Sequence, residues 1–254
     1  IFMSPCQSIV LVTPVWNDSK RLASFAPELG AAIHNSDLPI LWVIADDGSN
    51  ALEQSKYVQT ANYVRSLGCK IEIVRLEERG YKGGAIYNAW NNYRQADWLA
   101  FVDADGAVCA KSIIELIHLA AEKGEDASAI AIRSASEKSV RRAFKRRSSF
   151  YFFILLVRLI LGLKLGDTQC GAKVVSGRTY RKIAPQLKER GFVFDVELLV
   201  LLKMYQVPLM KCPVQWEEKA KGKINVVRDG WLMLIGLLRI RRRLEAGAYN
   251  PIKS

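Results

Sequence analysis

The sequence predicts an α/β protein built on an open, mostly parallel sheet with helices on both faces. Three observations carry this reading. Short apolar, β-rich runs alternate with stretches of helical apolar spacing through the first half of the chain. The runs end in polar signatures, which gathers chemistry at the carboxyl edge of the sheet, where such folds bind ligands. One run, Trp98 to Val102, stops on Asp103-Ala104-Asp105-Gly106, two carboxylates one residue apart.

The elements follow in order. Ser8 to Thr13 reads as the first strand, with Pro14-Val15-Trp16-Asn17-Asp18 as its loop. Ser19 to Asn35 carries apolar residues at helical spacing (Leu22, Phe25, Leu29, Ile33). Ile40 to Ala45 is a second strand, ending in Asp46-Asp47-Gly48-Ser49. Ala51 to Leu67 is helical and Lys70 to Leu76 is the third strand. Arg79-Gly80-Tyr81-Lys82-Gly83-Gly84-Ala85 leads into a helix through about Tyr93. Trp98 to Asp103 is the fourth strand, Ser112 to Glu122 a helix, and Ala127 to Ile132 the fifth strand.

The pattern changes after Arg133. A basic run, Arg141 to Arg147, precedes an apolar helix, Phe150 to Leu165. Asp167-Thr168-Gln169-Cys170-Gly171-Ala172-Lys173 follows, then a helix near Tyr180 and another opening on Phe192 to Leu199. Val207 to Trp216 reads as a late strand and Glu217 to Lys223 as a charged loop. In the last helix, Asn225 to about Arg243, the residues Asn225, Arg228, Asp229, Gly236, Arg239 and Arg243 form one narrow stripe, with Leu232 intruding. The rest, including Trp231, Leu234, Leu237 and Leu238, is nearly all apolar, and Arg239 to Arg243 makes a basic end. This describes a helix lying on an anionic membrane surface. Packing on the core or on a second copy, giving a homo-oligomer, is the rival reading. The expected division is a catalytic domain over 1–216, including the apolar helix 150–165, and a charged loop with a basic amphipathic helix over 217–254.

Composition narrows the classes. Thirty-seven Lys and Arg oppose 25 acids, a net charge of +12, which implies anionic partners. Half the residues are hydrophobic, so the chain folds. Five scattered cysteines without a CxxC pair read as reduced thiols of a cytosolic environment, neither disulfide frame nor zinc site. The two histidines, His34 and His118, fall inside apolar helical patterns and read as structural. No run reaches the length of about 20 apolar residues that a membrane span needs. No G-x-G-x-x-G follows the first strand, which disfavours a dinucleotide-binding dehydrogenase.

Two hard oxygen ligands at Asp103 and Asp105 suit Mg²⁺ or Mn²⁺ shared with a phosphate. Taken alone, Asp-x-Asp reads as an acidic turn. Its surroundings change that. Pro14-Val15-Trp16-Asn17-Asp18, Asp46-Asp47-Gly48-Ser49, Lys82-Gly83-Gly84-Ala85 and Asp103-Ala104-Asp105 stand in the order found in family 2 glycosyltransferases of the GT-A fold. Asp167 to Lys173, Phe194 to Leu199, and Trp216-Glu217 followed by Gly222-Lys223-Ile224 resemble the dolichyl-phosphate β-glucosyltransferases and their mannosyl relatives. The resemblance covers roughly Ser8 to Arg243. It departs at Asp18 (usually Glu), at Tyr81 (usually small) and at Ala107, where some mannosyl relatives have a metal-touching Gln.

The resemblance implies transfer of a hexose from a nucleotide-sugar, UDP-glucose first and GDP-mannose second, to a polyprenyl or dolichyl phosphate with inversion. Asp105 would carry the metal, with Asp103 on the metal or the ribose. Asp46 or Asp47 would bond the base or ribose, and the backbone near Pro14 and Asn17 would pack against the base. Lys82 and Gly83 would bring an ammonium and main-chain N–H groups to the nucleotide. Arg133, Arg142 and Lys223 are the expected clamp on the acceptor phosphate. Asp167, Gln169 and Asp195 would line the donor sugar or order the acceptor loop. Glu197 reads as a helix N-terminal charge complementing the dipole. The expected location is the cytoplasmic face of a membrane, with no nucleic-acid partner. Two rivals remain: a family 2 enzyme acting on a saccharide hydroxyl, with Asp195 or Asp167 as base, and a non-catalytic membrane-surface or nucleic-acid-binding protein.

Overall fold

The computed structural model describes residues 8–133, 144–162, 167–217 and 226–249. Strands and helices run in the order β1 (Ile9–Val15), α1 (Ser19–His34), β2 (Ile40–Asp46), α2 (Ala51–Ser66), β3 (Lys70–Arg75), α3 (Tyr81–Asn92), β4 (Trp98–Val102), α4 (Ala110–Lys123), β5 (Ser128–Arg133), α5 (Phe144–Leu161), β6 (Ala172–Ser176), α6 (Gly177–Ile183), α7 (Phe194–Met204), β7 (Leu209–Val214) and α8 (Val226–Glu245). Seven strands form one sheet in the order β3-β2-β1-β4-β6-β5-β7. All pairs are parallel except those of β6, which runs antiparallel to both β4 and β5.

Strands buried on both faces must be apolar at every position rather than at alternate ones. Hence β4 is five buried residues, Trp-Leu-Ala-Phe-Val. Their alternation still sorts them between two cores. Leu11, Trp42, Ala100 and Val102 pack with α1, α2 and α4, through Leu22, Phe25, Tyr57, Val64, Ile113 and Leu116. Val12, Val43, Leu99 and Phe101 pack with α3 and the later helices, through Trp90, Tyr180, Phe194, Leu198, Leu237 and Ile240. Local chemistry sets several helix starts. Asn50 accepts from the Glu53 N–H at 3.0 Å, and the Ser176 hydroxyl accepts from the Thr179 N–H at 3.0 Å.

The chain leaves β3 at one side and enters β4 on the far side of β1. The order therefore reverses between β1 and β4, which opens a crevice at their carboxyl ends. Because β6 runs the other way, its amino end, preceded by Cys170 and Gly171, arrives at the same edge.

Three expectations change here. The sequence reading contains no strand at 172–176, because a lysine at the second position of a five-residue run hides it; Lys173 is buried and its ammonium is paired. The apolar helix begins at Phe144, six residues before Phe150, since Lys and Arg are good helix formers. It ends at Leu161, where Gly162 adopts φ +65°.

The third change is the polar stripe of α8, which turns partly inward. Arg239 reaches Glu189 at 2.5 Å, and Arg243 reaches Glu189 at 2.8 Å and Glu197 at 3.0 Å. Tyr249 donates to Glu197 at 2.5 Å. Glu197 is fully buried, and it also accepts from the Lys188 and Glu189 N–H groups. It is a hub for α8 rather than a solvated complement to the α7 dipole. Leu237 and Ile240 are buried beside this cluster, while Trp231, Leu232 and Leu238 stay exposed. α5 packs beside α8, burying Phe153, Val157 and Leu161 and exposing Phe152, Leu155 and Leu159. No described helix is long and apolar enough to cross a membrane.

Two glycines in α8 test this docking. A Cβ at Gly236 would collide with Val193, whereas one at Gly230 meets nothing within 4 Å. An exposed helical Gly→Ala change gains up to about 1 kcal/mol, and overpacking loses about 1–3. Urea unfolding should therefore show Gly230→Ala stabilised and Gly236→Ala destabilised; equal gains would refute the packing.

Candidate active site

Three groups of polar side chains line the carboxyl edge. The central one forms where β4 ends. The Asp103 N–H donates to the Gly171 carbonyl at 2.9 Å, tying the loop after β4 to the entry of β6. A Cβ at residue 171 would run into the Asp103 carboxylate, whose Cγ lies 2.8 Å from its position. The Lys82 ammonium pairs with Asp103 Oδ1 at 2.6 Å and faces the rings of Phe101 and Phe194. Behind it, Asp195 and Lys173 form a second pair at 2.6 Å, both side chains buried, with Lys173 also donating to the Cys170 carbonyl at 3.1 Å. Asp105 accepts from the Ala107 N–H at 3.0 Å.

Burial sets the electrostatics. It pushes the Asp105 carboxyl above the usual range, and the like charge of Asp103 adds to this. Burial raises Asp195 too, opposed by Lys173 and Lys82. For Lys82 burial works against the charge, but Asp103 and Asp195 outweigh it and lift the group above its ordinary value.

The second group lies at the ends of β1 and β2. Asp46 accepts from the Ser49 N–H at 3.0 Å through Oδ1, while its buried Oδ2 has no hydrogen-bond partner. Arg75 Nε is 4.0 Å from that oxygen. Asp47 accepts from the Gly80 N–H at 2.6 Å and faces Arg79 at 3.8 Å. Asn17, at φ +47°, donates from its N–H to the Ser49 hydroxyl at 2.8 Å and accepts from the Asn50 N–H at 2.9 Å. The Arg79 guanidinium lies 3.4 Å above the Trp16 ring and 4.9 Å from that of Tyr81. Tyr81 itself sits at φ +60°, a conformation costly for an aromatic residue and common at binding sites.

The third group closes the β5 end. Arg133 pairs with Asp167 at 3.3 Å, donates to the Gln169 carbonyl at 3.0 Å and lies 5.0 Å from the Trp216 ring. Trp216 pairs with Val108 across an isolated bridge, and Glu217 donates from its N–H to the Ala107 carbonyl at 3.0 Å. The loop after β4 is thus held between β6 and the end of β7.

The donor set fits a small divalent cation. Among the described residues no group of three or more His, Cys, Asp or Glu converges. The chain therefore offers Asp103 and Asp105, two hard oxygens whose mutual repulsion a cation would relieve. A bound cation would complete its shell with phosphate and water, the pattern typical of Mg²⁺.

Residues 11–182 match the family model described as glycosyl transferase family 2. The chain belongs to that family. It is a glycosyltransferase with the GT-A fold. It is 31% identical over 260 residues to the dolichyl-phosphate β-glucosyltransferase of Drosophila melanogaster, covering 97% of this chain and 78% of that one. The enzyme of the same name from Dictyostelium discoideum is 28% identical over 263 residues, with 99% and 79% covered. Among solved structures, glucosyl-3-phosphoglycerate synthase of Mycobacterium tuberculosis with Mn²⁺, UDP and phosphoglyceric acid superposes with a TM-score of 0.64 at 12% identity, covering 97% and 80%. The same synthase with Mg²⁺ and UDP gives 0.62 at 12% identity, covering 97% and 81%.

Within this family 2 framework the expected residues fall into the three groups. Asp103, Ala104, Asp105, Lys82 and Asp195 meet at the centre; Pro14, Asn17, Asp46 and Asp47 flank the β1–β2 end; Arg133, Asp167 and Gln169 meet at β5. Arg142 and Lys223 lie outside the described residues. One role changes. The N–H groups of Gly83 and Gly84 donate to the Arg190 carbonyl at 2.8 and 3.2 Å, so they do not face a nucleotide. Glycine is needed at 83 because a Cβ would lie 2.5 Å from Phe194 Cβ and 2.8 Å from that carbonyl. The stack of Arg79 on Trp16 and the pairing of Lys173 were missed. Trp16 just after the first strand and Arg79 before Gly80 were visible, but nothing local joins residues 63 positions apart.

Burial also raises the Asp47 carboxyl, against the Gly80 N–H and Arg79. A group whose folded pKa is raised destabilises the fold when ionised, so stability falls as pH rises through that pKa. Asp47→Asn keeps an acceptor for Gly80 and removes the charge. Thermal melts should show the variant more stable than wild type at neutral pH, by the order of 1 kcal/mol. The gain should shrink on acidification toward about pH 4. A gain that grows on acidification would contradict the assignment.

Proposed function

We propose that this family 2 transferase moves glucose from UDP-glucose to a dolichyl or related polyprenyl phosphate, with Mg²⁺ or Mn²⁺ and inversion at the anomeric carbon. The names of the relatives support the sugar and acceptor. The complexes of the structural neighbour with UDP, Mn²⁺ and Mg²⁺ support the donor nucleotide and metal.

One observation carries the choice of acceptor. Both carboxylates considered as bases are engaged by cations, Asp195 by Lys173 at 2.6 Å and Asp167 by Arg133 at 3.3 Å. A sugar hydroxyl must give up a proton to such a base as it attacks. A lipid phosphate has a second pKa near about 6 and arrives with an ionised oxygen. It needs to be held rather than deprotonated, and this favours the phosphate over a saccharide hydroxyl.

The residues then divide the work. Asp46, whose buried Oδ2 lacks a hydrogen-bond partner, and Asp47 receive the base or ribose. Asp103 and Asp105 hold the cation, which when bound neutralises charge on the departing diphosphate. Lys82 supplies a second positive charge on the same side. Arg133, at the β5 end of the crevice, contributes to the acceptor phosphate clamp, together with Arg142 and Lys223 from outside the described residues. Direct attack by the acceptor oxygen on an α-linked donor gives a β-linked product.

The exposed apolar side chains of α5 and α8, Leu159 at 67% and Trp231 at 64% among them, with Arg241 and Arg242 nearby, favour docking on an anionic membrane surface. That would bring α8 and the acceptor lipid to the same plane, on the cytoplasmic face where the nucleotide-sugar is supplied.

Transfer of labelled sugar to a short polyprenyl phosphate in detergent tests the reaction. UDP-glucose should yield an organic-extractable, β-linked product. EDTA or Asp105→Ala should reduce it at least about 100-fold. An α-linked product would overturn inversion, and product only with saccharide acceptors would overturn the acceptor. Separately, Trp231→Ala with Leu238→Ser should weaken binding to anionic vesicles severalfold while leaving UDP binding unchanged. Unchanged vesicle binding would remove α8 from the membrane surface.

A further inference from the structure

We propose that Lys82 and the divalent cation are competing partners of Asp103, so that the donor diphosphate admits the metal by drawing the ammonium away. This inference rests on the metal reading above. Its first support is geometric. The Lys82 ammonium stands 2.6 Å from Asp103 Oδ1, the distance of a full ion pair, on one of the two carboxylates available to the cation. Asp103 cannot turn to serve both partners at leisure. Its N–H is fixed to the Gly171 carbonyl at 2.9 Å, and its carboxylate is walled by Gly171, with no room for one additional carbon.

Charge balance gives the second support. Asp103, Asp105 and Asp195 face two ammonium groups, Lys82 and Lys173, with Arg21 acting on Asp105 from a distance. Lys173 neutralises Asp195 at 2.6 Å, with both side chains buried. Asp195 is therefore a weak second home for Lys82. A dication arriving alone would share Asp103 with an ammonium 2.6 Å from its Oδ1 that faces the rings of Phe101 and Phe194 at 5.4 and 5.6 Å. A diphosphate brings two negative charges to the same place. Lys82 can then leave Asp103 for a phosphate oxygen, and the cation can take the carboxylate. Metal and nucleotide bind with positive coupling, and reciprocity requires each to strengthen the other equally.

The test is equilibrium binding of Mn²⁺, read by electron paramagnetic resonance of the free ion, with and without UDP. Wild type should bind Mn²⁺ weakly alone and much more tightly with UDP. Lys82→Met should bind Mn²⁺ alone at least tenfold more tightly than wild type, with the UDP-induced gain reduced. Lys82→Gln serves as a second neutral variant should the first fold poorly, and Lys82→Arg, which keeps the charge, should behave as wild type. If the neutral variants bind Mn²⁺ alone no better than wild type while UDP still tightens it, the competition is overturned and the metal site stands. If no variant binds Mn²⁺ even with UDP, or Asp105→Asn binds it as well as wild type, the metal reading falls with it.

Discussion

Asp103 can stand where it does only because residue 171 has no side chain. The antiparallel strand β6 enters the sheet between β4 and β5, and its first turn of chain must pass within hydrogen-bonding distance of the loop that ends β4. The Asp103 N–H to Gly171 carbonyl bond at 2.9 Å is that passage. On the far side of the same chain lie Asp167 and Gln169, which reach Arg133 at the end of β5. One strand inserted backwards thereby brings the segments after β4, before β6 and after β5 to a single edge. The parallel strands alone would leave β4 and β5 as neighbours with nothing from residues 167–171 between them.

Charge follows the same geometry. Three of the crevice carboxylates are matched by cations: Asp103 by Lys82, Asp195 by Lys173, Asp167 by Arg133. Removing one partner of such a pair costs more than the pair gives, because a buried charge is left uncompensated. The arrangement therefore specifies where each side chain must lie. It also leaves Asp105, raised by burial and by Asp103, as the carboxylate with most to gain from a cation.

Much of this was legible in the sequence, for physical reasons that differ by element. The βα alternation was readable because two-faced burial writes continuous apolar runs, and Asp103, Asp105, Asp46 and Asp47 were readable because they end such runs. Strand β6 was not, since its second residue, Lys173, is polar in sequence and buried in space, its charge answered by a residue 22 positions away. The role of Gly83 was misread for a related reason. A glycine at a helix start looks like a phosphate cradle, but the atom it makes room for is the Arg190 carbonyl, over a hundred residues on. Of the polar stripe expected in α8, Asn225 lies outside the described residues, and the inward direction of Arg239 and Arg243 could not be known without Glu189 and Glu197. The stacking of Arg79 on Trp16 joins two loops whose proximity only the β1–β2 pairing creates.

Glu189 and Arg190 face two ways. The Glu189 carboxylate holds Arg239 and Arg243 of α8, and the next peptide carbonyl, that of Arg190, holds the first N–H groups of α3 beside Lys82. The last helix and the helix start carrying the central ammonium are thus moored to adjacent residues of one short segment. A substitution that shifts the 189–190 backbone would disturb both the seat of α8 and the first turn of α3.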